Sequence, residues 1–213
     1  MAITPKDWMT HLNGHVMCAI DVETTGLDPD NDAIYQIAII PLDAKLEIRT
    51  DVSPFDIWIK PELKVTESPE FGKLPYGSRD KIMKAIESGF DAFRAVELFE
   101  NWLKNSLKLH ENKRITPLGH NYAFDRDFLS RWLGPMSYNH YFDSRYRDSL
   151  LAGSYLNDRA DFQAEAIPYT KGGLAQMCKA AGIHEDKENF HDAMFDCWMT
   201  ARLYKALCKE YMA

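Results

Sequence analysis

The chain has 213 residues, 46% of them hydrophobic and 27% charged, with a formal net charge of −7. That length accommodates one α/β domain with a buried core, read here as a single unit over 1–213, and the composition excludes a largely disordered chain. No apolar run approaches the roughly 20 residues of a membrane helix. The opening stretch, Met1 to Trp8, lacks the basic patch and apolar segment of a secretory signal. Cys18, Cys178, Cys197 and Cys208 form no Cys-x-x-Cys pair, so free thiols in a reducing cytoplasm are expected.

Trp8 to Leu12 suggests a short helix. Val16 to Ile20 is a compact apolar run with strand formers, continued by Asp21-Val22-Glu23. Thr24 to Asp32 is dense in turn residues. A second strand is expected over Ala33–Pro41 and a third within Ile48–Ile59, pairing with the first as an antiparallel meander. Pro61 to Gly77 is loop-like, and Ser78 to Ile86 fits one short helix. Asp91 is placed to cap a helix reaching Leu107, with apolar Phe93, Val96, Leu98, Phe99, Trp102 and Leu103. Ile115–Gly119 is a strand, Tyr122–Leu133 a helix stopped by Gly134-Pro135, and Tyr141–Asp143 a last short strand. Helices follow over Asp148–Tyr155, Leu174–Ala181 and about Asp192–Tyr211. This order implies an α/β or α+β chain with a mixed sheet.

Three segments carry candidate chemistry. Asp21 and Glu23 are two apart on a strand, so both carboxylates share one face. Carboxylates that close repel unless a cation lies between them, and a hard divalent ion with oxygen ligands is the natural one. The turn Thr24-Thr25-Gly26 can bring backbone N–H groups near a ligand. Asp125 lies in the first turn of a helix that follows a strand, where α/β sites commonly form. His191 and Asp196 are five apart, which does not return to one helix face; His191 therefore belongs to the loop or first turn and Asp196 to the helix. The neighbours of Asp196, including Met194, Phe195, Cys197 and Trp198, are apolar, and a buried carboxylate without a partner is costly. Each segment alone has an ordinary explanation: a solvated strand end, a helix N-terminus stabilised by acid, or a surface histidine. The negative net charge argues against a nucleic-acid partner in so far as phosphate affinity comes from Lys and Arg. Cations held among carboxylates reverse that argument locally.

Taken together, Asp21-Val22-Glu23-Thr24-Thr25-Gly26-Leu27, His120-Asn121-Tyr122-Ala123-Phe124-Asp125 and His191-Asp192-Ala193-Met194-Phe195-Asp196 resemble the three motifs of the DEDDh exonucleases. That branch contains the epsilon-type proofreading exonucleases, RNase T and oligoribonuclease. Arg147 to Ala152 and Gly173 to Cys178 with Gly182-Ile183 resemble its secondary motifs, so the likeness covers about 16–207. It implies a ribonuclease H-like α/β fold, with a central five-stranded mixed sheet flanked by helices. The activity implied is two-metal 3′→5′ hydrolysis of single-stranded DNA or RNA, DNA favoured, releasing nucleoside 5′-monophosphates. RNA trimming of the RNase T or oligoribonuclease kind is the alternative, and an inactive binding module a lesser one. By the resemblance, Asp21, Glu23 and Asp196 ligate one Mg²⁺ or Mn²⁺. Asp21 bridges to a second, which Asp125 helps to hold, and His191 is the general base. Thr24, Thr25, Gly26 and Leu27 line the terminal nucleotide, with Thr25 near the 3′-OH. Asn121 and Phe124 border the same pocket, and Lys171 is a candidate phosphate contact. Pro61–Gly89 matches the family loosely and is read as shaping substrate access. Nothing after Leu207 resembles a polymerase-binding tail; a homodimer stays open.

Overall fold

The computed structural model describes residues 15–61, 63–67, 71–74, 76–184 and 190–210. The helix expected over Trp8–Leu12 lies outside them, as does Tyr211 at the expected end of the last helix. Strands β1 (Val16–Thr24), β2 (Ile34–Pro41), β3 (Phe55–Trp58), β4 (Ile115–Gly119) and β5 (Arg147–Asp148) form one sheet in the order β3-β2-β1-β4-β5. β1 to β3 are the expected antiparallel meander, while β4 and β5 run parallel to β1. Helices α1 (Tyr76–Ser88), α2 (Ala92–Asn105), α3 (Tyr122–Leu133), α4 (Pro135–Tyr141), α5 (Ser149–Phe162), α6 (Leu174–Ala180) and α7 (Ala193–Glu210) flank it.

The two-residue period of β1 sorts its side chains between two cores. Cys18, Ile20 and Val22 join Phe99, Trp102, Phe128 and Leu129 of α2 and α3 on one face. Met17 and Ala19 face α7 on the other, with Ala38 and Ile40 of β2. Asp21 and Glu23 continue the α7-facing row at the carboxyl end of the strand. The α7 contact is made of small residues: Ala193, Cys197 and Ala201, spaced one turn apart, sit against Ala19 and Ala38. The Cys197 thiol lies 3.2 Å from the Ala38 carbonyl. Small side chains let the helix backbone approach the sheet, which brings the neighbouring Asp196 to the strand end. On the opposite face, α2 forms as the spacing predicts. Asp91 accepts from the Arg94 N–H at 2.9 Å and Ala95, Phe99, Trp102 and Leu103 are buried. Phe99 stacks or packs edge-on against Phe55, Trp102, Trp132, Tyr141 and Phe142; truncation to alanine at such a site costs about 3–5 kcal/mol.

The strand count agrees with expectation, but the fifth strand is a different one. Residues 135–141 form helix α4, opened by Pro135 in its first turn, and Phe142 keeps only a single parallel bridge to Ile115. Tyr138 and Phe142 are strand formers by type, yet four apart they stack on one helical face at 4.9 Å, and this packing overrides β propensity. The fifth strand is instead Arg147–Asp148 beside Gly119. Pro61–Gly77 carries two short 3-10 turns, 63–67 and 71–73, and α1 and α5 run longer than expected. All four cysteines are free. Among the described residues no helix is long and apolar enough to cross a membrane.

Candidate active site

The carboxyl end of β1, the start of α3 and the start of α7 converge. Asp125 is buried and one of its carboxylate oxygens accepts the Val22 N–H of β1 at 3.0 Å. That bond crosses 103 residues of sequence and fixes the first turn of α3 over the strand end. Asp196 reaches in from α7, where its Oδ2 accepts the His191 N–H at 3.1 Å. Its Oδ1 is buried and has no hydrogen-bond partner among the described residues. Glu23, His191 and Asp196 each present a ligand atom within 4.8 Å of the other two. His191 stands just before α7 with φ +69°, the left-handed region that a non-glycine residue enters at a cost.

The electrostatics follow from this crowding. Desolvation pushes the Asp21 carboxyl well above the usual carboxylate range, with Asp125, Asp196 and Glu23 adding repulsion. Desolvation likewise raises Asp125, against the Val22 bond. Asp196 is pushed up to about 7, first by burial and then by Glu23 and Asp192, against the His191 bond. Glu23 is raised by burial, with Lys81, His191 and the Tyr35 hydroxyl opposing; that hydroxyl donates to Glu23 at 3.3 Å. Carboxylates held near one another with a vacant lone pair on buried Asp196 Oδ1, beside one imidazole, fit a hard divalent cation.

The remaining candidates are distributed around this cluster. Thr24 donates to the Gly26 carbonyl at 2.6 Å. The Thr25 hydroxyl is turned inward: it donates to Asp32 at 3.4 Å and accepts from the Ala33 N–H at 3.0 Å. Its side chain thus organises the turn. A Cβ at Gly26 would overlap the Asp32 carboxylate, which would have to shift. Leu27 is 84% exposed beside the site. Asn121 sits at the head of α3 with φ +65°. Phe124 is half-buried against Phe128, ring centroids 4.9 Å apart. Lys171 lies on the wall of a cleft that adjoins His191.

Several residues of the site lie outside the candidate set read from the sequence. Lys81 on α1 donates through its ammonium to the His191 carbonyl, so the loosely matching 61–89 segment supplies a cation to the cluster. Buried Gln36 donates to Asp56 at 3.1 Å and accepts from the Ala193 N–H at 3.4 Å, tying β2, β3 and α7 together. His120 bonds the Gly172 carbonyl at 2.7 Å through Nε2 and Ser149 at 2.8 Å through Nδ1. A carbonyl only accepts, so Nε2 carries a hydrogen. Asp148 accepts from the Asn121 and Tyr122 N–H groups at 3.1 and 2.8 Å, and from those of Leu150 and Leu151 at 2.9 and 3.3 Å. One carboxylate therefore caps both α3 and α5. His120 and Asp148 lie in or beside matched motifs, where the sequence could have flagged them; for Lys81 it offers nothing.

This fold and this edge of carboxylates define a known class of nuclease. Residues 18–204 match the exonuclease family RNase T, and the chain belongs to that family. It is a 3′→5′ exonuclease of the group that includes Ribonuclease T and oligoribonuclease, a family dependent on divalent metals. It is 30% identical over 198 residues to the Ribonuclease T of Buchnera aphidicola subsp. Baizongia pistaciae, covering 87% of this chain and 80% of that one. It is 29% identical over 124 residues to the oligoribonuclease of Chromobacterium violaceum, covering 57% of this chain and 66% of that protein. Its fold is similar to E. coli exonuclease I in complex with a dT13 oligonucleotide, with TM-score 0.60 and 20% identity over 93% of this chain. The chain spans only 43% of that exonuclease I chain. The ribonuclease H-like fold implied by the motifs is the fold observed.

Proposed function

We propose that the chain removes nucleoside 5′-monophosphates from the 3′ ends of single-stranded nucleic acid, with Asp21, Glu23, Asp125 and Asp196 holding two divalent cations and His191 as general base. The observation that carries this reading is the crowding of Asp125, Asp196 and Glu23 about Asp21, with His191 beside Glu23 and Asp196 and with Asp196 Oδ1 buried and lacking a hydrogen-bond partner among the described residues. Bound there, Mg²⁺ or Mn²⁺ would supply positive charge to the attacking and leaving oxygens of an in-line displacement. Asp21, whose carboxyl is crowded by the other three, would contribute to holding the cations together with Glu23, Asp196 and Asp125. His191 takes a proton from the attacking water; Asp196 on its N–H and Lys81 on its carbonyl hold its backbone in place. Leu27 and Phe124 offer apolar surface for the terminal base, and the Thr24–Leu27 turn its polar contacts.

Both strand chemistries fit such a site. RNA becomes the stronger candidate, ahead of the DNA preference read from the motifs, because the relatives that match over most of their length are named for ribonuclease action. The test incubates the protein with 5′-labelled single-stranded RNA and DNA oligomers in Mg²⁺ or Mn²⁺, with EDTA as control. Stepwise shortening from the 3′ end that EDTA abolishes is expected, faster on RNA. Intact oligomers in every metal refute the reading, and equal rates on both strands refute the RNA preference alone.

A further inference from the structure

The recess beside His191 extends beyond the acidic cluster. A cleft of about 640 Å³ is bounded by Thr170 and Lys171 ahead of α6, by Gln176 and Lys179 on α6, and by Phe190 and His191. His191 belongs both to this cleft and to the acidic cluster, so the two adjoin. In a chain of net charge −7, the described residues of these walls include two lysines and no carboxylate. Neither Lys171 nor Lys179 forms an ion pair among the described residues, and both are exposed. Phe190 is held edge-to-face on Phe195, ring centroids 5.1 Å apart. Ammonium groups for phosphates and an aromatic ring for a base are the make-up of surfaces that bind single strands regardless of sequence. The wall is also set in advance: His120 fastens the Gly172 carbonyl, next to Lys171, to the end of β4. A wall ordered before binding loses less entropy when the ligand arrives.

Resting on the exonuclease reading above, we propose that this cleft carries the 5′ side of the bound strand away from the acidic cluster, with Lys171 and Lys179 on its phosphates and Phe190 against a base. If the 3′ end lies among the carboxylates, whatever fills the adjoining cleft is the nucleotides upstream of it. The surface therefore contributes to affinity for longer strands and little to the shortest ones.

Fluorescence anisotropy in EDTA, where no turnover is needed, tests this with labelled oligonucleotides of about two and about ten residues. A protein carrying both Lys171→Met and Lys179→Met should bind the longer strand about tenfold more weakly. Its plot of log affinity against log salt should be shallower by about 1.4, since each lost single-strand phosphate contact removes about 0.7. Binding of the shortest strand should be unchanged, and Lys171→Arg with Lys179→Arg should restore the wild-type slope. Phe190→Ala should weaken longer-strand binding by about tenfold with no change of slope. An unaltered affinity and slope in the double methionine variant overturns the proposal. So does wild-type protein that binds the longer strand no better than the shorter, or that releases it to polyglutamate as readily as to unlabelled oligonucleotide. Failure of the exonuclease reading shows separately, as absence of EDTA-sensitive shortening.

Discussion

Asp143 and Asp196 sit at opposite poles of the sheet and are treated in opposite ways. Asp143 follows α4 near the start of β4 and is 5% exposed. Its oxygens accept from the Arg145 side chain at 3.0 and 2.9 Å and from the Arg145 N–H at 2.8 Å, and the His15 ring nitrogen lies 2.8 Å away. Those Arg145 bonds, above all, hold its carboxyl far below the usual range. Asp196 has one backbone N–H and one oxygen with no hydrogen-bond partner among the described residues, and stands at about 7. Burial opposes ionisation in both; only Asp143 has its cation supplied two residues along the chain. A carboxylate that serves the fold brings its own counter-charge, whereas a carboxylate that serves a site waits for one.

The comparison breaks first at the acidic pole. Asp196→Asn should lower turnover by about 10³-fold or more, the scale expected when several kcal/mol of cation-borne stabilisation is lost. The same change removes a charge from a repelling cluster, so its melting temperature in EDTA should equal or exceed that of wild type; a large fall in that temperature would contradict the charge argument. At the other pole Asp143→Asn should do the reverse. It should cost about 1–3 kcal/mol of stability by leaving polar partners unmatched, with exonuclease rate per folded molecule unchanged at a permissive temperature. Denaturant unfolding and an activity assay on one preparation decide it.

The two poles also respond to pH with opposite sign. Asp196 has a folded pKa above its unfolded value near 3.9, so its contribution is intact below about pH 4 and lost as pH rises towards about 7. Divalent cation should therefore raise the melting temperature progressively more between about pH 4 and 7, relative to EDTA, and a constant gap would refute this. Asp143 is depressed, so its contribution is present above about pH 4 and lost on acidification. The stability difference between wild type and Asp143→Asn should accordingly shrink below about pH 4. The smallest effect is that of Lys81→Met. Loss of an ammonium beside Glu23 and Asp196 should strengthen Mn²⁺ binding by roughly threefold to tenfold, while a freer His191 loop lowers kcat by about as much. Weaker Mn²⁺ binding by calorimetry would show that Lys81 is not a competing charge.

The acidic set was legible because its geometry is local. A period of two on β1 and the first turns of α3 and α7 are written in short segments, and their order along the chain identifies the family. What could not be read was whatever depends on tertiary proximity. Lys81 arrives from a helix with no motif, and Gln36 looks like any strand glutamine until α7 lands on it. Thr25 stands in the turn that follows Glu23, yet Asp32 and Ala33 claim its hydroxyl. In the fold, residues 141–143 read as a strand because Tyr and Phe favour strands by type, while Pro135 and the Tyr138–Phe142 spacing favour a helix that only packing can select.

The shared cap at Asp148 has a consequence for how the protein opens. A single carboxylate closes the first turns of both α3 and α5, and α3 is the helix that carries Asp125. Neither helix can fray at its start without exposing the amides of the other. The two should exchange their leading amide hydrogens in one event, as a single foldon. Excursions that would scatter the acidic cluster thus require a second helix to let go at the same moment.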